Sequence, residues 1–239
     1  MKKFLILTFS LAFIINTSHT AFSMFKEHKK NAKKHQPFLN TKNFETGTVK
    51  DFEGNEYKTI KIGNQWWIAE NLRVTINKSG KSIISYAPDN SEKNIPEYGR
   101  LYTWKTAMDG SKIEGAQGLA PDGWHIPTKE EWNTLFEFLG GIEIAGKKMK
   151  EEGTKRWTNN KESDNSSGFT ALPTGGYLVG RSYEGFGEYT HFWCSSGEGK
   201  QGIIPSLGGD MDEAYYINYP MSPNDGSTAA IRCVKNAEK

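Results

Sequence analysis

The clearest pattern of hydrophobic and polar positions lies within Leu119–Gly141. Large apolar residues recur there at intervals of three and four, which places them on one face of a helix: Trp132, Leu135, Phe136 and Leu139. Thr128 and Glu131 have the spacing of a capping box, in which each side chain satisfies a free backbone N–H at a helix start. A glycine pair follows the last apolar residue. The pattern predicts a helix that begins at Thr128 and ends at these glycines.

Shorter segments with other periods surround this helix. Apolar alternation and glycine-asparagine turns predict a β-hairpin over 48–62 and a strand over 65–68. A short helix is predicted over Tyr98–Met108 and a weaker one over Ile144–Glu152. Short strands are predicted at Gly176–Val179, His191–Ser195, Ala214–Asn218 and Ala229–Val234. Two or three helices packed on a mainly antiparallel, twisted β-sheet form an α+β fold.

The N-terminus carries the features of an exported chain. Two lysines precede the apolar run Phe4–Ile15, and a small-residue cleavage site follows, so residues 1–23 are interpreted as a signal peptide. An uncleaved anchor is the alternative, although the run is short for a membrane span. A tether over 24–46, a domain over 47–236 and a tail over 237–239 follow. The protein is therefore expected to be secreted, attached to the cell surface or periplasmic, without a transmembrane segment after cleavage.

Charge is distributed unevenly along the chain. Six lysines and two glutamates give residues 24–46 a charge of +4, and Lys2 and Lys3 add +2, which leaves about −4 on the rest of a chain whose net charge is +2. A mildly acidic domain lacks the clustered positive charge of a nucleic-acid binder, so no nucleic-acid partner is expected. The tether is either a solvated linker or a contact for an acidic surface, such as anionic polysaccharide or phospholipid head groups.

Candidate catalytic and metal-binding residues lack the spacing that their chemistry needs. Gly197–Gly202 matches G-x-G-x-x-G but continues into Ile-Ile-Pro, so it is interpreted as a loop. His125 and His191 form no H-x-x-x-H pair, which leaves a histidine metal site without support. Oxygen ligands for calcium occur in the last third without the spacing of a calcium loop: Asp210, Asp212, Glu213, Asn224 and Asp225. Neither a metal nor a cofactor is predicted.

The two cysteines, Cys194 and Cys233, lie in strand-like segments of a chain bound for an oxidising compartment. A disulfide between them would close a loop of about 40 residues and add about 3–4 kcal/mol in the chain-entropy model. Two buried free thiols are the alternative, because the sequence does not show that the two strands are neighbours. Cys194-Ser195-Ser196 also suggests a nucleophile with a histidine base, although no nucleophile elbow surrounds it.

Aromatic residues fall into two groups. Those in amphipathic segments are expected in the core, and the predicted framework consists of Trp124, His125, Thr128, Glu131, Trp132 and Trp193. Aromatic residues among glycines and polar residues suit loop platforms that stack on sugar rings or anchor a protein partner, with core packing as the alternative. The predicted ligand-binding residues are Tyr183, Phe186, Tyr189, Tyr215, Tyr219 and Asn224.

Several colinear motifs together resemble the Fibrobacter succinogenes major paralogous domain, a family of exported bacterial domains. They include Ile60–Gln65, Tyr98–Trp104, Leu119–Gly141, Ser167–Pro173, Phe192–Ser196 and Ile231–Val234. The resemblance covers about residues 47–236. It implies a C-type lectin-like fold, related in layout to the formylglycine-generating enzymes, and no established catalytic activity. The motifs of calcium-dependent sugar-binding lectins are absent, so calcium-dependent sugar binding is not carried over.

These features predict an exported, non-catalytic binding or adhesion module. Its C-terminal loops are expected to present the ligand surface to a polysaccharide or a surface protein. One alternative is an enzyme related to the formylglycine-generating enzymes, although their active-site cysteine pair does not map by motif onto Cys194 and Cys233. A second alternative is a receptor for variable ligands, which would concentrate sequence variation in the loops around 215–227.

Overall fold

The structure is a computed structural model that describes residues 44–160, 162–177, 183–198, 201–220 and 226–236. The described chain forms two β-sheets and four short α-helices. The strands are β1 (Thr46–Lys50), β2 (Glu56–Ile62), β3 (Gln65–Ile68), β4 (Trp124–His125), β5 (Thr174–Tyr177), β6 (Tyr183–Phe186), β7 (Tyr189–His191), β8 (Gly197–Glu198), β9 (Gln201–Gly208), β10 (Ala214–Pro220) and β11 (Val234–Lys235). The helices are α1 (Ile95–Tyr98), α2 (Trp104–Ala107), α3 (Lys129–Phe138) and α4 (Ile142–Met149), with 3-10 turns at Pro88–Asn90 and Glu92–Asn94.

The first sheet has the strand order β1-β2-β3-β11-β4 and is antiparallel throughout. The predicted hairpin and the strand at 65–68 are confirmed. Asp51 closes the hairpin, because its Oδ1 accepts the backbone N–H groups of Glu53 and Asn55 at 2.9 Å. The Tyr57 hydroxyl donates to the other carboxylate oxygen at 2.6 Å. The short polar turn therefore fixes the register of β1 against β2.

The second sheet has the order β10-β9-β7-β5-β6, with β8 also paired to β9. Its pairs are antiparallel except for the parallel contact of β5 with β7. The mixed helix-and-sheet composition is as predicted, but two sheets replace the single predicted sheet. No residue of β9 lies in a predicted strand, and its first two residues pair with β8 inside the segment Gly197–Gly202 that was interpreted as a loop. Pro205 argues against a strand in the sequence, because proline lacks the N–H that a central strand normally uses. In the structure the Pro205 carbonyl nevertheless accepts the Phe192 N–H at 2.9 Å.

The helix predicted to begin at Thr128 and to end at the glycine pair is confirmed as α3, whereas the single helix predicted over Tyr98–Met108 is wrong. In its place, α1 and α2 flank an extended pair, Leu101 and Tyr102, which form isolated bridges to Tyr86 and Ala229. Gly99 ends α1 with a φ of 74°, and a Cβ there would lie 2.6 Å from the Asn71 Cβ. The chain must therefore leave the helix at this glycine. The weaker third helix is present as α4, although it starts and ends earlier than predicted.

Two other predicted strands are shorter than expected. The strand predicted over His191–Ser195 ends at His191, which is the last residue of β7. In Ala229–Val234 the first two residues form isolated bridges, and the regular strand begins only at Val234. Each segment still pairs with a neighbouring segment. The apolar pattern therefore identified buried, extended backbone correctly but predicted longer regular strands than the structure has. No helix in the described ranges has the length and apolar character needed to cross a bilayer.

Buried apolar side chains form two clusters. In the first, the Trp132 ring packs on Trp67 at 4.7 Å between ring centroids and stacks on Phe192 at 5.5 Å. The second contains Trp124 and Trp193, and the Trp193 indole donates to the Tyr102 carbonyl at 2.6 Å. All three framework tryptophans are thus buried, as predicted.

The predicted disulfide between Cys194 and Cys233 is wrong, and the alternative of two buried thiols describes the structure. Both cysteines are free and buried. Cys194 belongs to the first apolar cluster and Cys233 to the second, so their similar strand contexts did not make them neighbours. Burial raises the pKa of Cys194 to about 11 and that of Cys233 well above its ordinary value.

This burial predicts that both thiols are inert in the folded protein. DTNB added to the purified native protein without reductant should release less than about a tenth of one thiol equivalent within minutes, because only the accessible thiolate reacts. Two equivalents should appear once the chain is unfolded in guanidinium. A reduction step required before two equivalents appear would contradict the free thiols and restore the disulfide.

Candidate functional site

The predicted ligand residues divide between the two edges of the second sheet. Tyr183 and Phe186 lie on edge strand β6, and Tyr189 begins the nearby strand β7. Tyr215 and Tyr219 lie on β10 at the opposite edge. Asn224 falls outside the described residues, as does Asp225 of the calcium candidates. The ligand surface predicted as one region is therefore two regions, and β6 carries the larger aromatic group.

Five rings on or beside the β5–β6 hairpin make up what we call the aromatic cluster, and they form two contacting groups: Tyr86, Tyr177 and Tyr183 in one, Tyr98 and Phe186 in the other. Tyr177 contacts Tyr86 at 5.5 Å and Tyr183 at 5.4 Å between ring centroids, while Tyr98 contacts Phe186 at 4.9 Å. Four of the rings are half-buried and Tyr98 is buried. Parts of several rings consequently remain available on a surface built around the β5–β6 hairpin.

Hydrogen bonds fix two of these rings in place. The Tyr183 hydroxyl donates to the Thr174 carbonyl, and the Tyr177 hydroxyl donates to the Asn90 side chain. Burial is the main reason why the pKa of Tyr183 lies above its ordinary value, so its hydroxyl stays protonated and remains a donor. Because the rings are held before any ligand arrives, binding would not have to order them.

Glycine makes the hairpin possible at two points. Gly175 has a φ of 58°, and a Cβ there would lie 2.4 Å from the Glu184 carbonyl oxygen. Gly185 has a φ of 76°, and a Cβ would lie 2.0 Å from the Tyr189 ring. Tyr189 therefore packs directly on the backbone of β6 and supports the hairpin from behind.

Sequence reasoning missed three members of the aromatic cluster: Tyr86, Tyr98 and Tyr177. Tyr98 and Tyr177 each adjoin a glycine, the context that singled out the later tyrosines, and that signal was available. Tyr86 lies in a polar segment with no periodic signal. Its place depends on a bridge to Leu101, which a local pattern does not reveal.

The β10 edge contributes differently. Tyr216 packs on Phe136 of α3 at 5.8 Å between ring centroids, and its hydroxyl donates to Asn133 at 2.8 Å. Tyr215, the residue before Tyr216 on the strand, points to the other face and is half-buried. It lies opposite Ser206 in the ladder, and Ser206 lies opposite His191. The main contact of this edge is therefore that of Tyr216 with the first apolar cluster.

His125 and Glu131 join the framework through the predicted capping box, which is present. The imidazole Nε2 lies 2.8 Å from a Glu131 carboxylate oxygen, and Nδ1 lies 2.7 Å from Asn236 Oδ1. Burial alone disfavours the imidazolium, but the hydrogen bond and charge of Glu131 outweigh it and raise the pKa of His125. Burial likewise opposes ionisation of Glu131, yet His125 and Thr128 lower its pKa. The pair ties β4 to the start of α3.

The residues of the suggested nucleophile have structural roles. Ser195 Oγ donates to the Pro127 carbonyl at 3.1 Å and accepts the Gly115 N–H at 3.0 Å. Ser196 Oγ accepts the Lys129 N–H at 2.7 Å. His191 is buried, contacts Ser206 Oγ at 2.7 Å, and has its pKa lowered to about 4 by burial. Ser195 and Ser196 anchor the segment that leads into α3, and the hydrogen bonds that these two serines make in the described chain do not involve a histidine.

The turn between β9 and β10, which carries Asp210 and Asp212, is occupied by an ammonium group. Lys150 is 1% exposed, and its Nζ donates to the carbonyls of Gly208 and Met211 at 2.6 Å each and of Gly209 at 3.1 Å. Burial lowers the pKa of Lys150 to about 8, so it is charged at neutral pH. Within the described ranges, no three histidine, cysteine or acidic residues are placed to hold a metal.

Comparison with known proteins identifies the family. The model of the Fibrobacter succinogenes major domain matches residues 60–235, which is more than half of the chain. The chain therefore belongs to this family, and the resemblance drawn from its motifs is confirmed. A search of curated proteins gave no match, and neither did a search of solved structures.

The raised pKa of His125 predicts a pH-dependent contribution to stability. The folded state binds this proton more tightly than the unfolded state, so the stabilisation is complete below about pH 6.5 and is lost as the pH rises through the folded pKa. The free energy of unfolding of wild type should exceed that of His125→Gln by more at pH 6 than at pH 9, measured by urea titration. The buried His191 is present in both proteins and cancels. A difference that is constant across this range would contradict the ion pair.

Proposed function

For a chain of this family, we propose an exported, non-catalytic binding or adhesion module with a C-type lectin-like fold. The aromatic cluster on the β5–β6 hairpin is its ligand surface, and its ligand is a polysaccharide. The observation that carries the proposal is the contact between three half-buried rings, Tyr86, Tyr177 and Tyr183, two of which lie on the hairpin and are fixed by hydrogen bonds.

Ring geometry favours sugar as the ligand. Flat faces of tyrosine and phenylalanine suit the C–H face of a sugar ring. The hydroxyl oxygens of Tyr177 and Tyr183, whose protons are donated within the protein, can still accept from a sugar hydroxyl. Tyr177 and Tyr183 meet nearly edge to face, at 75° between their planes, so together they offer a ring face and a ring edge. Rigid aromatic contacts also lose little conformational entropy on binding.

The roles of the polar residues favour binding over catalysis. Both thiols are buried with raised pKa values, which disfavours the reactive thiolate. Ser195 and Ser196 hold backbone groups at the start of α3. His191 is buried and its pKa is lowered to about 4, so it is a poor exchanger of protons with a substrate. These are the residues that the sequence suggested as a nucleophile and its base, and their contacts are structural.

The N-terminal sequence supports export. The pattern over 1–23 is typical of a signal peptide, and the basic tether over 24–46 precedes the domain. Six lysines in the tether add a sequence-independent attraction to acidic polymers of the cell surface. In this proposal the tether raises the local concentration of polymer while the aromatic cluster provides the specific contact.

Removal of single rings tests the proposal. Tyr177→Ala and Phe186→Ala should each weaken binding to native cell-wall polysaccharide about tenfold, since a well-packed aromatic anchor contributes on the order of 1–2 kcal/mol. Tyr215→Ala is the matched control from the other edge of the sheet and should leave affinity within about twofold. Affinity is measured by depletion binding or calorimetry, with the unfolding midpoint checked for each variant.

Two results would reject this function. Absence of binding to every polysaccharide tested, together with capture of a specific surface protein, would reassign the surface to a protein partner. Polysaccharide binding that is equally insensitive to all three substitutions would remove the aromatic cluster from the site.

A further inference from the structure

We propose that a charged cavity beside α1 is a specificity subsite for one uncharged, hydroxyl-rich sugar residue of the ligand. The inference rests on the proposed function and names the part of the ligand that enters the protein. The cavity has a volume of about 610 Å³, within the range of roughly 300–1,000 Å³ that is usual for small-molecule sites. It lies between the β1–β2 hairpin, the end of β3, α1 and the loop that precedes β5.

The cavity adjoins the aromatic cluster through α1. Pro96 and Glu97 line the cavity, and the next residue, Tyr98, contacts Phe186 of the cluster. Arg156, which also lines the cavity, binds Glu97. Because successive residues of one helical turn serve both places, a single oligosaccharide can stack on the cluster and insert its end into the cavity.

The charges that line the cavity balance. Three cationic and three anionic side chains contribute to its wall: Lys58, Arg156, Arg232, Glu70, Glu97 and Glu151. Arg156 pairs with both Glu97 and Glu151, which neutralises part of this set internally. A charged ligand would approach three side chains of its own sign, whereas a hydroxyl group both donates and accepts. The wall therefore selects an uncharged polar ligand.

Two groups in the wall have unused hydrogen-bonding capacity. Glu151 Oε2 is buried and has no partner among the described residues, and buried carboxylate oxygens are normally paired. Arg232 is 1% exposed, and its bonds to Asn71, Ile68, Phe169 and Thr170 use four of its five N–H groups. A sugar hydroxyl can donate to the carboxylate and accept from the guanidinium. This complementarity points to a ligand with neighbouring hydroxyl groups.

Apolar atoms supply the remaining contact. Ile60, Ala69, Pro96 and Leu172 line the same cavity. A pyranose ring presents C–H groups on its faces and hydroxyl groups around its edge, so it matches a wall that combines aliphatic and hydrogen-bonding surface. A polyanion or a purely apolar ligand would match only one of these two components.

The experiment fills the cavity without removing any of its charged groups. Thr46 lies on the exposed edge strand β1 and lines the cavity, so Thr46→Trp should obstruct it. Thr48→Trp is the matched control, since Thr48 is two residues along the same strand and is not part of the lining. Binding of neutral oligosaccharides (cello-, xylo- and mannohexaose) and of oligogalacturonate is followed by amide chemical shifts of the purified protein.

At least one neutral oligosaccharide should shift amides at Glu97, Gly168 and Thr170, and Thr46→Trp should weaken its binding at least tenfold while Thr48→Trp changes it less than twofold. Judged by the shifts of these same amides, oligogalacturonate should bind the cavity at least tenfold more weakly, whatever it contacts on the basic tether. Glu151→Gln gives a second test with little change of shape, because it replaces an acceptor with a donor and should weaken the same ligand.

Four outcomes overturn the subsite. Binding that needs Phe186 but is indifferent to Thr46→Trp rejects the cavity and leaves the proposed function standing. Preferential binding of oligogalacturonate at the cavity amides rejects the uncharged ligand class. No amide shift with any probe rejects the subsite, and polysaccharide depletion then judges the proposed function separately. Equal loss of binding in Thr46→Trp and Thr48→Trp shows damage to the strand and also rejects the assignment.

Discussion

The rest of the structure depends on the hydrogen bonds made by the buried guanidinium group of Arg232. It donates to the Asn71 side chain at 2.6 Å and to the carbonyls of Phe169 and Thr170 at 2.7 and 2.9 Å, and it lies 4.6 Å above the Phe169 ring. Burial lowers the pKa of Arg232 to about 9, which still leaves it charged at neutral pH. A buried charge is costly without oxygen partners, so two segments distant in sequence, 68–71 and 169–170, must present oxygens at one point.

That requirement explains the shape of the loop before β5. Thr170 has a φ of 53°, in the left-handed region that β-branched residues rarely adopt. Asn165 holds it there, because its Oδ1 accepts the Thr170 N–H at 3.0 Å and its Nδ2 donates to the Thr170 hydroxyl at 2.9 Å. The Thr170 carbonyl then meets Arg232. From this fixed point the chain passes Leu172 and enters the hairpin of the aromatic cluster, so one buried cation helps to position both the cavity wall and the proposed ligand surface.

Local signals in the sequence predicted α3 and the β1–β2 hairpin, because capping and turn formation involve residues only a few positions apart. Contacts between distant residues were harder to predict. A proline in β9 and the division into two sheets depend on which strands pair, and Cys194 and Cys233 look alike in sequence although they belong to different apolar clusters. The candidate site was predicted in part: glycine-flanked tyrosines pointed to β6, whereas Tyr86 and the role of Arg232 depend on tertiary contacts.

The hydrogen bonds of Arg232 hold two segments of the domain together, and lysine cannot reproduce their geometry. Urea unfolding of Arg232→Lys tests this role most directly, with Arg73→Lys as the control, since Arg73 also lies over an aromatic ring, at 4.5 Å from the Tyr57 centroid, but is only half-buried. A lysine keeps the charge but cannot make the forked set of bonds, so the loss should be on the order of 3–5 kcal/mol, against about 1 kcal/mol or less for the control. A loss for Arg232→Lys within about 0.5 kcal/mol of the control would contradict the account.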